Sequence, residues 1–251
     1  MMATESPPAV ELRHVTKSFG DRRVLDDVSV TVARGRSVCI LGRSGTGKSV
    51  TLKHIVGLIA PDAGQVFVEG EDISALSVRD LSRIRQRIGF LFQNAALFDS
   101  IRVGENVAFP LRRHTKLRDA EIRAKALDLL GQVGLGDEYD KMPADLSGGM
   151  RKRAGLARAL ALGPAILLAD EPSAGLDPVT AAEIDALLVD LKRQSQTTLV
   201  VVTHNIPSAK AIGDEFVFLH EGRVLEHGTA ADLERSASPL VQQFMQSEGG
   251  G

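Results

Sequence analysis

Apolar residues along this chain cluster in two ways, and the two alternate. Short continuous runs end at a glycine or an acid: Ser37-Val38-Cys39-Ile40-Leu41 stops at Gly42, and Ile166-Leu167-Leu168-Ala169 stops at Asp170. Thr197 to Thr203 is a third run, rich in β-branched residues, and Ile88-Gly89-Phe90-Leu91-Phe92 is a fourth. Short apolar runs without polar alternation predict strands covered on both faces, as in a parallel sheet. Elsewhere the apolar positions recur at helical spacing. Ile184, Leu187, Leu188 and Leu191 share one face of a helix begun by Asp177-Pro178, with aspartate as N-cap and proline at the first helical position. Ile122, Ala126, Leu129, Leu130 and Val133 predict a second amphipathic helix far from any strand signal, so residues from about 97 to 162 read as a mostly helical insertion. Phe216 to Leu219 and Val224-Leu225 flank Glu221-Gly222 as the arms of a hairpin. Strands alternating with helices in this way predict an α/β domain.

Composition narrows the chemistry. The 251 residues are 43% hydrophobic and 25% charged, which is the balance of a folded globular chain. Lys and Arg total 30 against 32 Asp and Glu, for a net charge of −2, and there are nine Phe, one Tyr and no Trp. A chain with neither a basic excess nor aromatic platforms is poorly equipped for nucleic acid, which is not expected as a partner. Cys39 is the single cysteine, so no intrachain disulfide forms and a cysteine-based zinc site is not expected, in keeping with a reducing compartment. Met1 to Val10, with Pro7 and Pro8, lacks the apolar stretch of a secretory signal. No apolar run approaches the roughly 18 residues of a spanning helix; Ala159 to Ala169 is broken by Gly163 and Pro164. Any membrane role is therefore expected to go through a partner. The folded unit is expected over 10–245, with loose tails at 1–9 and 246–251.

Gly42-Arg43-Ser44-Gly45-Thr46-Gly47-Lys48-Ser49 satisfies the Walker A pattern between a predicted strand and the helical stretch Val50 to Gly57. Its glycines let backbone N–H groups converge on phosphate oxygens at the positive end of the helix dipole. Lys48 is the candidate contact to the β and γ phosphates, and Ser49 the candidate hydroxyl ligand of magnesium. Two acids, Asp170-Glu171, leave the second strand: Asp170 suits the metal and Glu171 the polarisation of an attacking water. His204 follows the third strand, where it can face the γ phosphate of a nucleotide bound at the sheet's end. Gln93 follows the fourth, and alone would mean nothing.

Leu146-Ser147-Gly148-Gly149-Met150 makes the reading specific. A helix-capping turn would account for it in isolation. Taken in order with the Walker A loop, Gln93, Asp170-Glu171, Ser173-Ala174-Gly175-Leu176-Asp177 and His204, it resembles the ATP-binding cassette (ABC) ATPase family, over nearly the whole chain from about Val10 to Met245. The resemblance implies a P-loop NTPase with a RecA-like core, an N-terminal antiparallel β subdomain and an inserted helical subdomain. It implies ATP and Mg²⁺ as ligands, with Gln93 sensing magnesium and the attacking water beside Ser49 and Asp170. It implies that Ser147, Gly148 and Gly149 meet the ATP held by a second cassette, with Asp177 at that interface, so that a head-to-tail homodimer is expected. Phe19 occupies the place of the aromatic residue that stacks on adenine.

Two departures stand out. Met150 replaces the glutamine that usually ends the signature, and Pro143-Ala144-Asp145 ahead of Leu146 is similar to importer-type cassettes. Ala95 to Ser100, Val103 to Leu111, Leu146 to Met150 and Ala174 to Pro178 are most similar to the ATPase subunits of Mla-type phospholipid transporters, which work with mammalian-cell-entry proteins. That likeness implies a permease, a lipid-binding subunit of the mammalian-cell-entry type and a small accessory subunit as partners, and a place on the inner face of the bacterial cytoplasmic membrane. Leu97, Phe98, Val103 and Phe109 read as the apolar surface that receives the permease. A small-solute importer cassette, a soluble ABC ATPase acting on DNA or ribosomes, and a P-loop kinase are the competing readings; the last leaves Leu146 to Met150 unexplained.

Overall fold

The computed structural model describes residues 6–246, and the architecture below is that of these residues. β1 (Val10–Phe19), β2 (Arg22–Val32), β4 (Ala63–Val68) and β5 (Glu71–Asp72) form an antiparallel sheet in the order β2-β1-β4-β5. A second, six-stranded sheet runs β10-β9-β3-β8-β7-β6, built from β3 (Ser37–Leu41), β6 (Ile88–Leu91), β7 (Ile166–Asp170), β8 (Thr198–Val202), β9 (Glu215–His220) and β10 (Arg223–Gly228). All its neighbours pair parallel except β9 and β10, the hairpin around Glu221-Gly222.

The continuous apolar runs have the reason anticipated for them: the larger sheet is covered on both faces. Val38, Ile40, Leu168, Val200 and Val202 face one core, shared with the antiparallel sheet and with α1 (Lys48–Ile55). Cys39, Leu41, Leu167, Ala169 and Val201 face the other, shared with the helical layer. That layer contains α3 (Val103–His114), α4 (Asp119–Gln132) and α5 (Gly148–Leu160), with 3-10 turns at Gly136–Glu138 and Pro143–Asp145. α6 (Pro178–Ser195) opens as its sequence requires, the Asp177 carboxylate accepting from the N–H groups of Val179 and Thr180 at 3.1 Å each. Of its apolar stripe, Ile184 and Leu188 are buried, while Leu187 and Leu191 pack at the margin of the core. α2 (Val78–Arg85), α7 (Ile206–Ile212), α8 (Ala230–Glu234) and α9 (Pro239–Gln246) complete the chain.

Two expectations need correction. Ala9, assigned to the N-terminal tail, is buried and donates its N–H to the Val32 carbonyl at 2.9 Å, and the Pro7 carbonyl accepts from Arg34 at 3.0 Å. Ordered packing therefore begins before Val10, because β1 is laid in between β2 and β4 and carries the preceding residues with it. At the other end Gln246 belongs to α9; the rest of the proposed tails, 1–5 and 247–251, lies outside the described residues. Val103, read as part of an exposed partner surface, is fully buried at the start of α3. Leu97 is half-buried against the same core, and only Phe98 and Phe109 remain well exposed, at 45% and 47%.

Candidate functional site

Parallel strands bring their C-terminal ends to one edge of the sheet, where open α/β folds bind ligands. Reading across β3, β8, β7 and β6, that edge presents the Gly42–Ser49 loop, His204, Asp170-Glu171 and Gln93. Phe19, Arg43, Ser44, Gly45, Gly47, Lys48, Ser49, Gln93, Glu171 and His204 help to line a cleft of about 600 Å³, and Asp170 joins it through its hydrogen bond with Ser49. Gln93 is exposed at its rim.

The loop owes its shape to glycine. Gly42, Gly45 and Gly47 have φ of 147°, 79° and 104°, and a side chain on Gly42 would collide with the Leu219 carbonyl. Thr46 closes the turn by donating its hydroxyl to the Arg43 carbonyl at 2.9 Å. Lys48 opens α1 and is 7% exposed; its ammonium donates to the carbonyls of Gly42 and Arg43 at 2.7 and 3.0 Å, so the loop is wrapped around a cation. Burial pulls that lysine below its ordinary pKa, opposed by the charges of Glu171 and Asp170. Helix α1 has no acidic residue in its first turn, leaving its positive end uncompensated for an anion.

Ser49 donates its hydroxyl to Asp170 Oδ1 at 2.9 Å. Burial pushes the Asp170 carboxyl above the usual carboxylate range, with Glu171 adding to the effect and Ser49, Lys53 and Lys48 resisting it. Beside it Glu171 is 8% exposed and adopts a left-handed conformation, φ 48°. Its Oε1 lies 2.8 Å from His204 Nδ1. A carboxylate and an imidazole are thus held in contact above the phosphate loop, an arrangement suited to activating a water.

Ser147, Gly148, Gly149 and Asp177 are not in this cleft. Ser147 caps α5, its hydroxyl accepting from Met150 N–H at 3.2 Å, and both Ser147 and Gly148 are exposed. Gly149 is buried against Thr180 of α6, where a Cβ would clash with the threonine methyl. Met150 packs against the core. Sequence reasoning did not single out every residue that borders or supports the cleft. Arg22 donates to the Gly45 carbonyl at 3.3 Å, and Phe244 of α9 lines the cleft while packing edge-on to Phe218 at 4.9 Å. Lys152 of α5 is buried and donates to the Glu171 carbonyl at 2.9 Å. Its trace in the sequence was a lysine on the apolar stripe Gly149, Lys152, Leu156, Leu160; the first two left none, because they come from remote segments.

A glycine-rich loop wrapped on a buried lysine, with acids and a histidine on neighbouring strand ends, defines a P-loop nucleoside-triphosphate-binding protein with the two-sheet layout of an ATP-binding cassette. The chain belongs to the ABC transporter family, whose model matches residues 25–174. Among its relatives is the "Intermembrane phospholipid transport system ATP-binding protein MlaF" of Escherichia coli, 40% identical over 236 residues, covering 94% of this chain and 88% of that protein. Another is the "Probable ribonucleotide transport ATP-binding protein mkl" of Mycobacterium tuberculosis, 45% identical over 237 residues. That match takes in 94% of this chain but 66% of the mycobacterial protein, so the chain spans just under two thirds of that relative's length. Among solved structures, the ATP-binding cassette MJ0796 in a dimeric post-hydrolysis state with ADP and Pi superposes with a TM-score of 0.82 at 35% identity, over 88% of this chain and 98% of that one. No helix among the described residues is long and apolar enough to cross a membrane.

Proposed function

We propose that the chain is the ATP-hydrolysing subunit of a transporter that moves phospholipid at the bacterial cytoplasmic membrane. The observation that carries the ATPase part is the convergence of Lys48, Ser49-Asp170 and Glu171-His204 on one cleft. In this reading Phe19 stacks on the adenine, the N–H groups of Gly42 to Ser49 receive the phosphates, and Lys48 turns from its loop carbonyls to the β and γ oxygens. The Ser49 hydroxyl and the buried Asp170 carboxylate are hard oxygen donors 2.9 Å apart, which fits Mg²⁺, with Gln93 as the further candidate ligand at the rim. When bound, the metal supplies charge neutralisation on the transferring phosphoryl group. Glu171 takes the proton of the attacking water, and His204 holds its carboxylate in place.

Ser147, Gly148, Gly149 and Asp177 lie outside their own chain's cleft, which supports a role toward the nucleotide of a second copy in a head-to-tail dimer. The solved MJ0796 cassette is itself a dimer bound to ADP and Pi. For the permease, a cavity of about 450 Å³ bordered by Phe98, Phe109, Phe92 and Pro110 supports docking of an apolar segment. Phospholipid is favoured as cargo because the MlaF relatives match in extent as well as sequence, with this chain spanning 88% of the E. coli protein. By the same likeness, a lipid-binding subunit of the mammalian-cell-entry type and a small accessory subunit belong to the complex, on the inner face of the membrane. Ribonucleotide is the second reading, resting on the name of the mycobacterial relative.

Glu171→Gln tests the core of this. The amide keeps the shape but not the basicity, so ATP binding persists, hydrolysis falls by about 10²–10⁴-fold, and ATP holds two copies together. Light scattering in ATP and magnesium should show more dimer than wild type. Wild-type turnover by the variant rejects Glu171 as base, and loss of turnover without dimer gain rejects the shared-nucleotide dimer.

A further inference from the structure

Lys152 stands in a place where a lysine is costly. Helix α5 buries Gly149, Lys152, Leu156 and Leu160 along one side, and Lys152 is 6% exposed. An ammonium buried this far is rare unless polar partners receive it. It donates to the backbone carbonyl of Glu171 at 2.9 Å. The carboxylates of Asp170 and Glu171 favour its charged form, against a burial that lowers its pKa.

The residue that receives it is itself strained. Glu171 has φ 48°, a region that residues with a side chain seldom adopt and that persists where the surroundings hold it. Four contacts do so. Its N–H donates to the Val202 carbonyl at 2.8 Å, its carbonyl accepts from Lys152 and, more weakly, from Ala174 N–H at 3.3 Å, and its carboxylate meets His204. Without the lysine donor the carbonyl keeps only the long Ala174 bond. Relaxation of the backbone toward negative φ then rotates the side chain away from His204 and from the cleft.

We propose that Lys152 is a positioning residue for hydrolysis: its ammonium clamps the left-handed backbone of Glu171 so that the carboxylate stays aimed into the nucleotide cleft. The inference rests on the reading of Glu171 as general base. Lys152 lines none of the cleft itself and acts through Glu171, which separates it from Lys48, the lysine of the phosphate loop.

The test is a double-mutant cycle on ATP hydrolysis by the full chain at saturating Mg-ATP. Lys152→Met keeps the stem and removes the donor; it should lower kcat about thirty-fold while leaving KM and the ATP dissociation constant within about threefold. Lys152→Arg keeps a charged donor and should recover most of the loss. Combined with Glu171→Gln, Lys152→Met should add no further loss, since the group it positions is already gone. Wild-type kcat in Lys152→Met, a loss of ATP affinity in parallel with kcat, or a multiplied loss in the double variant each overturns the proposal. Lys152→Gln, whose donor is one bond shorter and falls short of the carbonyl, must lose kcat in the same way and serves if Lys152→Met does not fold. Full turnover in Glu171→Gln alone would instead remove the base assignment, a failure distinct from that of Lys152.

Discussion

Single residues in this protein are placed by conflicts that only their neighbours resolve. Lys48 is a buried cation, yet the loop that buries it turns two carbonyls inward to receive it. Lys48→Ala removes the charge around which that loop is organised, so hydrolysis should fall at least about 10²-fold, by analogy with other electrostatic stabilisers of the reaction centre. Phosphate release measured on the purified chain, with the apo variant's circular dichroism unchanged, checks this; turnover near wild type would reject the site. The loop was legible in sequence because eight consecutive residues carry the whole device. The φ of Glu171 and the partner of Lys152 were not, since one is a backbone state imposed by surrounding contacts and the other joins positions 19 apart in the chain.

At the scale of elements, α5 and α6 meet closely at Gly149. Gly149 fits because Thr180 points its methyl at the glycine while its hydroxyl donates to Asp177 Oδ2 at 2.6 Å. Rotating Thr180 to relieve an added Cβ would break that hydrogen bond. Gly149→Ala should therefore destabilise the fold by about 1–3 kcal/mol, and Thr180→Ser, which deletes the methyl and keeps the hydroxyl, should restore much of it. Denaturant midpoints of the single and double variants decide the point, and equal losses in both would mean the methyl is not the obstacle. Strands at Ser37–Leu41, Ile166–Asp170 and Thr198–Val202 and the capped start of α6 could be read ahead of the structure, because continuous apolar runs and an Asp-Pro pair are local signals. The sheet order β10-β9-β3-β8-β7-β6 could not, because strand neighbours are set by packing between distant segments. Val103 was misjudged for a similar reason: nothing local distinguishes it from Phe109, but its amide is tied to the Lys141 carbonyl at 2.9 Å and its side chain is drawn into the core.

For the molecule as a whole, the proposed partner contacts fall on two surfaces of the described residues. One carries Ser147, Gly148 and Asp177, and the other carries the Phe98 and Phe109 rings, whose centroids lie 5.0 Å apart. Phe98 sits five residues beyond Gln93, and the Asn106 amide group grips its backbone, accepting from Phe98 N–H at 2.7 Å and donating to its carbonyl at 3.1 Å. Phe98→Asp should leave the isolated chain folded and able to bind ATP, since the ring is 45% exposed, while weakening association with the permease. A desolvated aspartate at the contact costs a few kcal/mol, on the order of a hundredfold in affinity. Permease pull-down reads this directly, and undiminished capture would move the docking surface elsewhere.

The most direct test of the account as a whole is transport itself. The chain, purified from membranes with whatever permease accompanies it, is reconstituted into vesicles carrying labelled phospholipid, and lipid movement is followed with ATP and magnesium for wild type and Glu171→Gln. The account predicts ATP-dependent phospholipid movement by the wild-type complex and none above background by the variant. Ribonucleotide or amino-acid movement without phospholipid, or phospholipid movement that survives Glu171→Gln, would contradict it.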